Sequence, residues 1–288
     1  INWLEEFLMK FPNIVIVVSH DRHFLNTVCT HICDIDFGQI RMYVGNYDFW
    51  YQASSLMQKQ MKDQKKRAED RAAELRAFIQ RFASNASKAR QATSRKKLLD
   101  QLTMDDLPVT SRRFPYVNFK ADRECGKVVL EVKGLTKSVD EVKIFDNFDF
   151  TVQQNQKVAF VGPMNQKKAL FFELLAGNEK PDAGSVDWGV TIRPSFFFRE
   201  NGRFFTEELS ITNWLKQFSP DPDETYVRGF LGRMLFSGEE ANKSVKVISG
   251  GERVRCMLSK MMLSGANVLV MDEPTNHLDL EAITALNN

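Results

Sequence analysis

The chain of 288 residues predicts an α/β fold, and three features carry that expectation. Residues 267–271 form a short apolar run, the length of a buried strand, that stops at the carboxylate pair Asp272 and Glu273. Upstream, Ser249, Gly250 and Gly251 stand at the head of a helix-like stretch that leads into this run. Residues 59–97 contain no Gly or Pro and hold thirteen Lys and Arg against four acidic residues, although the whole chain has a net charge of only +2. The last feature predicts a long basic helical insertion ahead of the α/β part.

Taken in chain order, residues 1–50 read as helix, strand, helix and a strand pair. Residues 13–18 are apolar and β-branched and predict a short buried strand that runs into Ser19-His20-Asp21-Arg22. Leu25 and Val28 give the following helix an apolar face, and two short strands are expected around Phe37-Gly38. Residues 51–122 form the second block. Its apolar stripe, including Met61, Ala68, Ala72, Leu75, Phe78 and Phe82, has helical spacing. Ser84-Asn85-Ala86-Ser87 interrupts it with capping residues, and a second helix is expected over residues 88–102, making an antiparallel hairpin. Residues 103–122, with Pro108 and Pro115, read as an extended connector. In residues 123–288 strands are expected at 128–132, 148–152, 157–161 and 267–271, and helices at 214–218, 227–235 and 252–263.

Composition narrows the class. A hydrophobic content of 43% with 26% charged residues fits a globular protein with material for a core. No apolar run approaches the ~20 residues that a membrane helix needs, and Glu5 and Glu6 spoil the start as a secretory signal. Cys29 and Cys33 lack a matching second pair, which argues against a zinc site and for reduced thiols in a cytosolic setting.

The chemistry follows from the two phrases near residue 270. A Gly-Gly pair opening a helix presents backbone N–H groups to an anion. An apolar strand ending in Asp-Glu supplies one carboxylate for a metal and one beside a water. In this order, Ile248-Ser249-Gly250-Gly251-Glu252 and residues 268–279 resemble the signature motif, Walker B strand and D-loop of an ATP-binding-cassette (ABC) ATPase. Ser19-His20-Asp21-Arg22-His23 resembles the switch-histidine segment of such a cassette, yet it precedes everything else. The expectation is therefore a piece of a longer twin-cassette protein. Residues 1–50 end a first cassette, 51–122 are a basic linker and connector, and 123–288 are most of a second cassette with the P-loop NTPase fold.

Two cassettes joined by a basic helical linker resemble the ABC-F proteins. That resemblance implies ATP and Mg²⁺ as cofactors, a partner cassette, and a ribosome-associated role in the cytoplasm, with the linker reaching rRNA and tRNA. Carried onto this sequence, it implies Glu273 and His20 as catalytic residues and Asp272 as the metal ligand. It gives Gly162, Lys168, Ser249, Gly250, Gly251 and Asp279 as nucleotide contacts. Ser249 and the two glycines would serve ATP bound by the first cassette, which His20 would serve from its own side.

Several positions depart from the pattern. Gly162 and Lys168 match a phosphate loop, but Lys167 stands where a second Gly belongs, and Ala169 replaces a hydroxyl that would reach the metal. No aromatic residue for stacking adenine lies around Ser138-Val139, and Arg199 stands near a position where the family places Gln. Weak or absent nucleotide binding is expected at this loop, which is then retained for the fold. The basic hairpin has two readings, a solvated helix face or a phosphate-backbone surface centred on Ser94-Arg95-Lys96-Lys97. The rival assignments are the ATPase subunit of a membrane transporter and a nonenzymatic RNA-binding scaffold.

Overall fold

A computed structural model describes residues 2–82, 89–101, 110–162 and 165–287. Contacts divide the chain into Ile1–Arg112 and Arg113–Asn288. The expected turn at Ser84-Asn85-Ala86-Ser87, the start of the connector through Pro108, and loop positions Pro163 and Met164 lie outside the described residues.

In the first unit, α1 (Asn2–Lys10) leads into residues 13–18. Ile14, Ile16 and Val18 are 90%, 91% and 95% exposed, and no strand among the described residues pairs with them. The expected buried strand is thus corrected. β-branched residues favour extended backbone, but a strand exists only with a neighbour to bond, and none is present here. α2 (Arg22–Val28) begins where the Asp21 carboxylate accepts the backbone N–H groups of His23 and Phe24 at 2.9 and 3.2 Å. β1 (His31–Asp36) and β2 (Gln39–Val44) are antiparallel. Phe37 and Gly38, at φ 55° and 67°, form the two-residue turn whose twist matches a hairpin.

α3 (Tyr47–Phe82) has 36 residues, a rise of roughly 54 Å at 1.5 Å per residue. α4 (Ala89–Gln101) packs on it. Ala72, Leu75 and Ala92 are buried, and the Arg95 guanidinium lies 3.7 Å over the Phe78 ring. Near residue 110 the chain is fastened to β1. Arg112 pairs with Asp34 and Asp36 and stacks at 4.8 Å on Trp50, whose Nε1 donates to Asp34 at 3.1 Å. Burial pushes the Asp36 carboxyl upward, but hydrogen bonds donated by Ser111, Thr110 and Phe37 outweigh it and hold the group below its ordinary range.

In the second unit β3 (Val128–Val139), β4 (Val142–Gln153) and β5 (Ala183–Trp188) form an antiparallel sheet in the order β4-β3-β5. α5 (Asn165–Leu175) lays Phe171, Phe172, Leu174 and Leu175 against Leu130, Val132 and Leu135. Residues 157–161 do not join a sheet. Phe160 packs into this core, but Val158 and Val161 are exposed, which corrects the strand expected over residues 157–161. β6 (Pro194–Phe197) and β7 (Val268–Met271) pair in parallel. The connection between them holds α6 (Ile211–Lys216), α7 (Glu224–Arg233) and α8 (Gly250–Leu263). A long crossover is what parallel pairing requires. Ile211, Leu215, Leu231, Met234, Met257 and Leu258 fill a second core there, and α9 (Leu280–Asn287) adds Ala282. The four cysteines are free thiols. Among the described residues no helix is long and apolar enough to cross a membrane.

Candidate functional site

The register of β6 against β7 decides which side chains meet at the carboxylate pair. Phe197 is opposite Met271, and the Asp272 N–H extends the ladder to the Phe197 carbonyl at 2.9 Å. Two positions beyond that last pair stand Arg199 on one side and Glu273 on the other. Arg199 Nε lies 3.5 Å from Glu273 Oε2. Glu273 has φ 49°, and Asn276 Nδ2 donates to the same Oε2 at 2.6 Å. Both partners hold the carboxylate to one side, leaving it less free to orient a water.

Asp272 is buried, at 9% exposure. Burial, and then the charge of Glu273, push its carboxyl above the usual carboxylate range, while Arg199 and Lys168 draw it back down. Lys168, on the first turn of α5, shares with Asp272, Glu273, Phe160 and Val270 a cavity of about 400 Å³. Gly162 opens the loop at φ 157°, a backbone conformation that side chains disfavour. The phosphate-side residues Lys168, Asp272 and Glu273 therefore come together as the sequence implied.

These residues offer a magnesium ion little: one free carboxylate and no hydroxyl. Mg²⁺ takes six oxygen ligands in a strict octahedron. Asp272 alone offers an unpaired carboxylate, and the cations of Arg199 and Lys168 act on it. Glu273 is engaged by Arg199 and Asn276, and Ala169 presents a methyl group. Among the described residues no group of three or more His, Cys, Asp and Glu side chains could hold a metal.

The signature helix is built differently. Ser249, at φ −67° and ψ 166°, caps α8, with its Oγ accepting the Glu252 N–H at 3.2 Å. Glu252 Oε2 accepts the Ser249 N–H at 2.7 Å, and Lys243 Nζ lies 3.0 Å from Oε1. This reciprocal capping box fixes the first turn. Burial raises the Glu252 carboxyl, but the Ser249 and Lys243 donors outweigh it and hold it below the ordinary value. A Cβ on Gly250 would meet the His277 ring at 3.1 Å, and one on Gly251 would meet the His277 carbonyl at 2.9 Å. The two glycines let His277, at φ 64°, lie against the helix end.

Asp279 Oδ1 accepts the Ala282 N–H at 2.7 Å, so its carboxylate caps α9. His20 is exposed in the first unit, just before the Asp21 cap. The motif reading gave no role to Asn276, His277 or Lys243. Asn276 was legible as a polar residue three past Glu273. The other two contacts depend on the packing of α8.

Two family profiles described as ABC transporter match the chain, one over residues 33–119 and one over residues 145–276. The uncharacterized ABC transporter ATP-binding protein YkpA of Bacillus subtilis (strain 168) is 55% identical over 100% of this chain and 54% of its own length. The probable ATP-binding protein YbiT of Escherichia coli O157:H7 is 38% identical over 100% and 54%. The energy-dependent translational throttle protein EttA of Escherichia coli (strain K12) is 31% identical over 99% and 52%. The chain spans about half the length of the curated relatives it matches.

Proposed function

We propose, on the premise that this chain belongs to the ATP-binding-cassette proteins and carries their nucleotide-binding P-loop NTPase fold, that it is part of an ABC-F ATPase acting at the ribosome. The observation that carries the proposal is the hairpin of α3 and α4. It is long, helical and strongly basic, and Arg90, Lys96 and Lys97 on α4 are exposed. A transporter ATPase needs no such arm. The name of EttA, an energy-dependent translational throttle protein, supports the same direction.

In this reading the head of α8 serves an ATP molecule held by the phosphate loop of a partner cassette. Ser249 Oγ already accepts the Glu252 N–H, so its hydroxyl proton is free to donate to a phosphate oxygen. The N–H groups of Gly250 and Gly251 and the positive end of the helix add to that attraction. His20 acts on the nucleotide of its own cassette, where ATP and Mg²⁺ are the cofactors assigned. The second cassette's own loop, with Lys168 beside Asp272 and Glu273, is the weaker site, and hydrolysis there is slow. The protein works in the cytoplasm.

The hairpin meets rRNA and tRNA through backbone phosphates. Co-sedimentation with ribosomes across a salt series tests this. Affinity is expected to fall roughly tenfold or more between low and physiological salt. The triple variant Arg90→Ala, Lys96→Ala, Lys97→Ala flattens the slope by about one unit per lost phosphate contact. Arg95 is left in place because it stacks on Phe78. Identical curves for wild type and variant would make the hairpin a solvated face and favour the transporter reading.

A further inference from the structure

Three stretches of strand character have no neighbouring strand among the described residues. They are residues 13–18 of the first unit, residues 157–161 of the second, and the second edge of β7, which pairs with β6 alone. The cavity of about 400 Å³ lies along the last two. All four residues of β7, Val268–Met271, line it, and so do Val158, Ala159 and Phe160 in succession. Successive side chains of an extended chain point to opposite faces. Consecutive residues therefore line one cavity only where it runs along the edge of the backbone. The charged lining is confined to Lys168, Asp272 and Glu273, the last two just past the end of β7.

We propose that this slot accepts an extended apolar strand, and that its occupant is residues 13–18 of a second copy of this chain. The segment matches the slot in charge, length and conformation. Residues 13–18 read Asn-Ile-Val-Ile-Val-Val and carry no charge. At about 3.3 Å per residue they span roughly 20 Å, enough to cover the four residues of β7 from end to end. Ile14, Ile16 and Val18 alternate along the segment and stand in water in the single chain. Entry into the slot buries them and gives the free edge of β7 a ladder partner. Strand addition of this kind draws affinity from main-chain hydrogen bonds and selectivity from alternate side chains. Neither segment carries the charge or proline that guards an open edge against pairing. Each copy offers both a strand and a slot, so the exchange closes as a pair or continues from copy to copy.

The test measures the mass of the whole chain by light scattering after gel filtration, from about 1 to 100 μM. Wild type is compared with Ile16→Lys, which spoils the strand, and with Val158→Arg, which charges the slot. Both positions are exposed in the single chain, and thermal melts check that the variants are folded. Wild type is expected to assemble into two copies or more. Each variant should weaken assembly by about tenfold or more, the loss of one buried apolar side chain. Amide hydrogen exchange separates strand pairing from general adhesion, because Ile35, Ile40 and Met42 on the β1–β2 hairpin are exposed too. Exchange at residues 14–18 and 268–271 should slow by about tenfold or more in assembled wild type, and not in Ile16→Lys. A wild-type chain that stays single at the highest concentration overturns the proposal. So does assembly that survives Ile16→Lys, or assembly that slows exchange at neither segment or at only one.

Discussion

The signature corner at Ser249 and the phosphate-loop corner at Lys168 start from the same device, a helix N-terminus that attracts an anion, and they finish it in opposite ways. α8 is capped by Ser249, braced by Glu252 and Lys243, and kept open by two glycines under His277. α5 has Lys167 where a glycine would admit the phosphate, Ala169 where a hydroxyl would meet a metal, and Arg199 against the nearby carboxylate. Both helices nevertheless bury full apolar faces, Met257, Leu258 and Met261 in one and Phe171, Phe172 and Leu174 in the other. The fold asks only for the buried face of each helix. Anion chemistry asks for the few residues at its start, and these can change without cost to the core.

The sharpest way to break this contrast is Gly251→Asp in a full-length protein. The new Cβ would press on the His277 carbonyl, which it would meet at 2.9 Å. The added carboxylate would also repel phosphate. ATP turnover is expected to fall on the order of 100-fold, the cost of losing preorganised donors. A loss under threefold would make the two corners equivalent.

Ser249→Ala tests the brace itself. Loss of the cap should cost about 1 kcal/mol of stability, read as a lower urea midpoint for the isolated chain. Ala169→Ser at the matching end of α5 should leave that midpoint within about 0.5 kcal/mol of wild type. Equal shifts would mean that neither end is specially built.

Glu252→Gln sharpens the electrostatics. The folded carboxyl sits below its ordinary value of 4.5. Its stabilisation is therefore present at neutral pH and lost as pH falls through the folded value. The variant should unfold more easily than wild type at pH 7, and the two should converge on acidification. A gap that stays constant from neutral to acid pH would remove charge from the account.

The smallest effect belongs to Glu273→Gln. With Arg199 and Asn276 already holding this carboxylate, turnover of the full-length protein should fall less than about threefold. The matching change in the partner cassette should cost far more. Equal losses measured side by side would end the asymmetry.

Local patterns in the chain reached many of these features directly. The head of α8, the apolar run of β7 with its carboxylates, and the basic helices α3 and α4 each depend on neighbours three or four residues away, or on a short run. Strands were legible only where a partner exists. Residues 128–132 and 148–152 lie in paired strands, whereas residues 13–18 and 157–161 have the same apolar character and no ladder. Strand character in a sequence is a readiness to pair, and pairing is completed elsewhere in the chain.

Sequence alone therefore determined the pieces of chemistry carried by contiguous residues, which are the capped Gly-Gly helix start, the Asp-Glu strand end and the charge of the hairpin. Tertiary structure decided what those pieces face. Arg199 and Glu273 are far apart in the chain and meet because Phe197 registers with Met271 in a parallel pair. His277 lies where a Cβ on either glycine would stand because α8 and the loop after β7 return to one place. Helix periodicity and capping act over a few residues and leave their mark in local sequence. Strand register and charge pairing are set by distant backbone bonds and the packing of the core, and no short stretch of sequence records them.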